Sequence, residues 1–296
     1  HTNVVASDGL VSPEVLQEKT GNSGFRRNSF EFIITNPPFG SVIKQTEKAY
    51  LHQYSLATKD VDWLNPASKA AERPSQSSEV LFIEQAEQYL ADGGYLAIVL
   101  PDGILTNYSM QYVRDYISDT FRVVAVVSMP QTAFMATGAG VKSSVLFLKK
   151  YNKEEKEKRR SVRTSIQSSL LAESDNGMEL FNLLEQKKKA TAKYNKLIKT
   201  VEKDSDETAK KFKDEKQSVI DDFDEKIEKT KELLLEAYEG QYKKSLLDYP
   251  IMMSIAEDIG FDATGKETGN NELLIVSKEL SKFIETIENG NDRFFL

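Results

Sequence analysis

Two short apolar runs, each cut off by proline, constrain this chain more than any other feature. Residues 30–35 read Phe-Glu-Phe-Ile-Ile-Thr and stop at Asn36-Pro37-Pro38-Phe39; residues 95–100 read Tyr-Leu-Ala-Ile-Val-Leu and stop at Pro101. Such runs, ended by residues that cannot continue a ladder, are expected of strands buried on both faces of a parallel sheet. Between them Phe82, Ala86, Tyr89 and Leu90 recur at helical spacing. They follow Ser77 and Ser78, which can cap, and precede Gly93-Gly94, which can terminate. The unit is strand, helix, strand.

Downstream, Ser109 can cap a second helix carrying Val113 and Ile117 on one face, and residues 123–127 and 144–148 read as two more strands. With no helix between them, these two are expected as an antiparallel edge hairpin whose loop holds Phe134 and Gly138-Ala139-Gly140. The fold class is therefore α/β, a sheet whose ligands bind beyond the carboxyl ends of its strands.

After Lys150 the composition turns to Lys, Glu and Asp with few apolar residues. Residues 151–177, net basic at their start, read as a charged linker. Residues 178–247 have almost no Gly or Pro, and Ile220, Phe223, Ile227 and Leu234 keep one seam, so a long antiparallel helix pair or coiled coil is expected. A solvated helix lying on the main domain reads equally well from the thin seam upstream. Residues 248–296 read as a helical segment: a helix ended near Gly260, a Gly/Asn-rich loop, and an amphipathic helix over 272–287.

Composition narrows the chemistry. The 296 residues are 40% hydrophobic, enough for one large or two smaller cores. Cysteine is absent and there are two histidines, His1 and His52, so thiolate nucleophiles, disulfides and sulfur- or histidine-rich metal sites are excluded. No apolar run approaches the roughly 18 residues of a membrane span, and no secretory signal opens the chain; a cytoplasmic protein is expected. A net charge of −7 argues against bulk electrostatic binding of nucleic acid, so any such contact must be local or supplied by partners.

The chemistry sits in residues 36–39. A planar amino group is a poor nucleophile because its lone pair is delocalised, and two acceptors aimed at its two N–H bonds would draw it toward tetrahedral geometry. The Asn36 side-chain oxygen is one acceptor, and the Pro37 carbonyl is a natural second, because Pro37 and Pro38 fix the backbone and donate nothing. Phe39 adds a flat face for a planar ring, and Gly40 permits close approach. The bare tetrapeptide reads equally as a strand-ending turn; the apolar strand before it and the aromatic and glycine after it favour the pincer.

Residues 30–40, 79–105 with Gly-Gly-Tyr-Leu-Ala-Ile-Val-Leu-Pro-Asp-Gly, and 129–149, taken in order, resemble the methylation subunit of type I restriction-modification systems and related adenine-N6 DNA methyltransferases. Residues 255–271, with Gly-Phe-Asp-Ala-Thr-Gly, resemble a stretch that follows the methylase domain in that family. The resemblance implies the C-terminal part of a Rossmann-like methyltransferase sheet over 1–150, S-adenosylmethionine as cofactor, and duplex DNA with a flipped adenine as substrate. It also implies a specificity subunit or target-recognition domain as partner, and a restriction subunit beyond it. Asn36, Pro37, Pro38 and Phe39 would then engage the adenine, and Phe134 would touch the flipped base from another side, unless it plugs its loop. Lys142 would meet DNA phosphate, against the default of a solvated strand-edge lysine. Asp8, otherwise a plain turn residue, matches the acidic position aimed at the adenine ring of the cofactor.

The sequence departs from the family where a Gly-rich loop should cradle the methionine end of the cofactor ahead of Asp8; Gly138-Ala139-Gly140 precedes a strand and reads as an ordinary loop. A chain lacking the cofactor-binding half, inactive alone and carrying an unpaired apolar edge on its first strand, is the expectation. Two alternatives stay open: a protein-glutamine or RNA-base methyltransferase using the same pincer, or a piece that serves mainly for assembly.

Overall fold

The computed structural model describes residues 4–44, 49–59, 62–65, 68–138, 140–201, 206–246 and 248–290. Two compact units emerge: His1–Val61 with Ser68–Lys158 and Asp248–Leu296, and Asp62–Ala67 with Arg159–Leu247.

In the first unit, helix α1 (Pro13–Thr20) starts where Ser12 Oγ accepts the Val15 N–H and ends at Gly21, whose left-handed φ of 67° suits glycine. Strand β1 (Phe30–Thr35) follows. The stretch after it forms two small ladders, β2 (Val42–Lys44) with β5 (Ser75–Ser77) and β3 (Thr58–Lys59) with β4 (Ala71–Glu72). Then come α2 (Ser78–Tyr89), β6 (Leu90–Pro101), α3 (Asp102–Thr106), α4 (Gln111–Thr120), β7 (Phe121–Ser128) and β8 (Ser143–Lys150). Beyond the second unit lie β9 (Met252–Ile255), β10 (Ile259–Phe261), β11 (Glu267–Asn271) and, after the helices described below, the last helix (Leu273–Glu288).

The main sheet runs β1-β6-β8-β7-β9, parallel at β1/β6 and β7/β9 and antiparallel at β6/β8 and β7/β8. The α/β class and the strand–helix–strand unit hold. Four readings change. β1 is not buried on both faces; it is an edge strand with the unpaired apolar flank expected of the first strand, so Phe32 and Ile34 are 70% and 87% exposed. The β7/β8 hairpin is not at the edge: β8 is central, and β9 covers the flank of β7. Residues 252–255, placed in a helix ending near Gly260, form β9 because the open backbone of β7 offers a ladder that a short helix cannot match; Gly260 lies in β10 with φ of +93°. Ser109 caps nothing: α4 starts after a 3-10 turn over Tyr108–Met110, with Met110 in the cap position.

Leu96, Ile98 and Leu100 of β6 alternate inward and pack with Val80 and Ile83 of α2 and with Val113 and Ile117 of α4. Each such full burial contributes about 1.5–3 kcal/mol. The last helix covers the other face, setting Leu280 and Ile287 against Val124 and Ala125. Gly94 is the close approach between β1 and β6: a Cβ there would stand 2.9 Å from the carbonyl oxygens of Ala91 and Glu31. At the far end of the sheet, Lys150 is buried and donates to Asn28 Oδ1 at 2.7 Å and to the carbonyls of Glu87 and Leu90 at 2.8 Å, joining β8 to the end of α2.

The second unit is helical. Helix α5 (Lys153–Glu173) occupies most of the stretch read as a linker, because Lys, Arg and Glu are strong helix formers and pairs such as Lys153 with Glu157 sit one turn apart. A tight joint at Gly177, where a Cβ would meet the Leu170 carbonyl at 2.3 Å, leads into α6 (Asp175–Val201), and α7 (Asp206–Ser245) follows; the helix over Leu273–Glu288 is α8. Leu180 and Leu183 near the start of α6 pack with Ile227 and Leu234 in the second half of α7, so the two helices run antiparallel. Trp63 and Leu64 join this core, with the Trp63 ring 5.7 Å from that of Tyr238. No described helix is long and apolar enough to cross a membrane.

Candidate active site

β1 stays in register with β6 as far as Thr35 opposite Ile98, and the chain leaves the ladder at Asn36. The two prolines remove backbone donors, so side chains must hold the turn. Ser78, the first residue of α2, does so twice: its hydroxyl donates to the Pro38 carbonyl at 2.8 Å and its N–H to the Ser41 carbonyl at 2.8 Å. Pinned in this way, Asn36 is exposed and Pro37 is buried. Among the described residues neither the Asn36 amide nor the Pro37 carbonyl has a hydrogen-bond partner.

Phe39 and Phe134 meet edge to face, ring centres 5.9 Å apart at 88°. Phe134 precedes a 3-10 turn over Met135–Thr137 that closes at Gly138, φ +87°. Thus the two aromatic positions singled out in the sequence, 95 residues apart in numbering, are brought into contact. The turn between β10 and β11 abuts the same loop: a Cβ on Gly265 would stand 3.4 Å from that of Ala136.

Lys142, half-buried, donates from Nζ to Ser128 Oγ at 2.7 Å and to the Met129 carbonyl, so its ammonium braces the end of β7. Its own carbonyl accepts the Asp102 N–H at 3.0 Å, and Ser144 Oγ donates to Asp102 Oδ1 at 2.7 Å. The Leu-Pro-Asp-Gly run is thereby fastened to β8 at the sheet's mouth.

Asp8 lies in a turn, its Oδ1 accepting the Leu10 N–H at 3.0 Å. Gln85 of α2 holds this segment by donating to the carbonyls of Gly9 at 3.0 Å and Val11 at 2.9 Å. One helix therefore positions both sequence-derived positions, Asn36 through Ser78 and Asp8 through Gln85. Between the two segments runs a cavity of about 410 Å³, with Gly9 beside Asp8 at one side and Thr35 beside Asn36 at the other, floored by Phe30, Phe32 and Phe82. Its size and apolar, aromatic lining suit a flat heteroaromatic ring. Among the described residues no cationic side chain lines it, so the nucleoside end of S-adenosylmethionine fits the residues present, whereas its charged methionine end finds no complement among them.

Sequence reasoning missed Ser78 and Gln85 as positioning residues. Ser78 carried a signal, but one read as helix capping; Gln85 carried none, because an amide on a helix face is ordinary.

The chain matches the family model described as N-6 DNA Methylase over residues 1–244. No match is found among curated protein sequences. Among solved structures it is similar to a Listeria monocytogenes protein assigned to the class I S-adenosylmethionine-dependent methyltransferases, at 20% identity and TM-score 0.32, covering 42% of this chain and 32% of that one. It is similar also to a modification subunit assigned to a type I restriction enzyme of Vibrio vulnificus YJ016, at 21% identity and TM-score 0.29, covering 40% and 22%. A third is the M protein of the type I restriction enzyme EcoKI, at 21% identity and TM-score 0.28, covering 43% and 22%. The chain thus spans less than a third of the length of each of these.

Proposed function

This chain belongs to the N-6 DNA methylase family, and from that premise we propose that it supplies the target-base side of S-adenosylmethionine-dependent adenine-N6 methylation of DNA within a restriction-modification system. The observation that carries the reading is the pair of unengaged acceptors on Asn36 and Pro37 beside the Phe39–Phe134 contact.

Base flipping costs a few kcal/mol, and stacking on an aromatic face offsets part of it. In this reading Phe39, braced edge-on by Phe134, receives the flipped adenine. Asn36 Oδ1 and the Pro37 carbonyl accept its two amino hydrogens, which localises the nitrogen lone pair and stabilises the positive charge developing on it. Ser78 anchors the carbonyls of Pro38 and Ser41 just past the two acceptors, so the turn is set before the base arrives. When bound, S-adenosylmethionine supplies an electrophilic methyl group; Asp8 and the aromatic groove would hold its adenosine part. Because nothing lining the groove complements the methionine part, the chain alone is expected to bind the cofactor weakly and to be inactive, with duplex DNA and a specificity subunit as partners of the complete assembly.

The test is transfer of a radiolabelled methyl group by the complete assembly to duplex DNA, followed by nucleoside analysis. N6-methyladenine is expected. Label on cytosine, on RNA or on a protein glutamine, with none on adenine, overturns the reading.

A further inference from the structure

Helix α6 changes character along its length. From 186 to 201 it carries six lysines and no acidic residue, Lys187, Lys188, Lys189, Lys193, Lys196 and Lys199. At 3.6 residues per turn the last five fall within an arc of about 140°, opposite the buried Leu183 and Ile198, and rise about 16 Å along the axis. All five are exposed. α7 differs: its charges alternate in sign and cancel in local pairs, Lys226 with Asp222 at 2.7 Å and Lys231 with Glu228 at 3.0 Å.

On α6 the neighbours are alike in sign. Lys189/Lys193 stand four apart, and Lys193/Lys196 and Lys196/Lys199 three apart, spacings at which like charges oppose the helix by a few tenths of a kcal/mol each. Lys189 pairs with Glu185 at 2.7 Å and Lys188 is drawn to the same carboxylate, but among the described residues Lys193, Lys196 and Lys199 have no anionic partner. Two grooves, of about 690 and 400 Å³, run along the same stretch, and the side chains between the lysines are Thr191, Ala192, Asn195 and Thr200. These are small, and three can hydrogen-bond a phosphate oxygen.

We propose that this face of α6 is a phosphate-backbone binding surface for duplex DNA. The proposal rests on the reading of the chain as part of a DNA methylase and extends it to a contact outside the methylation site. A protein partner fits less well, because interface cores are depleted in lysine and built on aromatic anchors, and this face presents none. The chain's net charge of −7 makes the single-sign stretch the more distinctive.

The experiment compares the full chain with Lys188→Gln/Lys193→Gln/Lys196→Gln/Lys199→Gln, measuring anisotropy of a fluorescein-labelled duplex from about 50 to about 200 mM salt. Removing four phosphate contacts should lower the slope of log K against log salt by about 3.6 and weaken binding at least about tenfold at mid-range salt. Helicity by circular dichroism should be unchanged or higher, since repulsion is relieved. An unchanged slope and affinity, or no duplex binding by the wild type, overturns the proposal; so does a variant that keeps DNA but loses a specificity subunit. Lys226→Gln, an ion-paired lysine of α7 outside this face, is run beside it and should bind duplex like the wild type. If Asn36→Ala still methylates in the complete assembly, the site reading fails while the lysine result stands unaffected.

Discussion

The two units hold their polar groups in opposite ways. In the sheet unit polar side chains are buried and aimed: Lys150, Ser78, Gln85 and Ser144 each tie one segment to another, and Glu84 accepts the N–H groups of Ser55 and Leu56 at 2.9 Å. In the helical unit the buried polar side chain among the described residues is Thr230, whose hydroxyl bonds the Lys226 carbonyl one turn back. Most of its ion pairs are exposed and within one helix, worth about 0.3–0.5 kcal/mol each, the exception being Lys187 of α6 with Asp224 of α7. Buried bonds between distant segments fix atoms to a fraction of an ångström, whereas an apolar seam with solvated charges fixes only a shape. The first unit fixes individual side chains; the second fixes its seam and leaves its surface side chains solvated.

The sharpest way to break that contrast is Asn36→Ala in the complete assembly. Transfer should fall far more than tenfold, about 1.4 kcal/mol per decade, with cofactor affinity and melting temperature held; more than a tenth of wild-type kcat would sink the pincer. Leu234→Ala should destabilise the helical unit by about 2–5 kcal/mol. The chain's single tryptophan, Trp63, reports that unit alone, so its fluorescence transition in urea should shift while sheet amides keep their hydrogen-exchange protection. Loss of protection in both units together would erase the distinction. Gly94→Ala presses a methyl group on two carbonyl oxygens and should do the reverse, costing the sheet unit about 1–3 kcal/mol with the tryptophan signal unmoved.

The smallest effect expected is a pH dependence of the sheet unit. Burial raises the Glu87 carboxyl, but the ammonium groups of Lys156 at 2.7 Å and Lys150 at 3.0 Å outweigh it and hold the group below its ordinary 4.5. A depressed carboxylate contributes stability above its ordinary value and loses it as pH falls through that value toward the lower folded one, so melting should drop as buffer is taken below about pH 4.5. Glu87→Gln should flatten that drop. Acid sensitivity of equal size in the variant would remove Glu87 as its source.

Local chemistry was legible and long-range neighbours were not. Pro37 and Pro101 announce where β1 and β6 stop, and the spacing of Val113 and Ile117 names the buried face of α4, because both follow from the residue's own geometry. β9 went unseen: Met-Met-Ser-Ile has no strand signature of its own and is a strand only because β7 has an open flank. The apolar run of β1 looks alike at a centre or an edge, and its open flank was expected only from the departure from the family pattern. At the site, Asn36, Pro37 and Phe39 were readable from the motif and Phe134 from the resemblance, while Ser78 and Gln85 matter through what they hold, which spacing does not encode.

The place of β9 in the chain sets an order of events during synthesis. β7 leaves the ribosome well before its outer neighbour, and α5, α6 and α7 must be made in between, so the nascent sheet carries a raw flank for that interval. Early collapse of α5, α6 and α7 draws the ends of this long insertion together and lowers the entropy of closing it. The timing of helix formation therefore governs how long the newborn protein stays sticky.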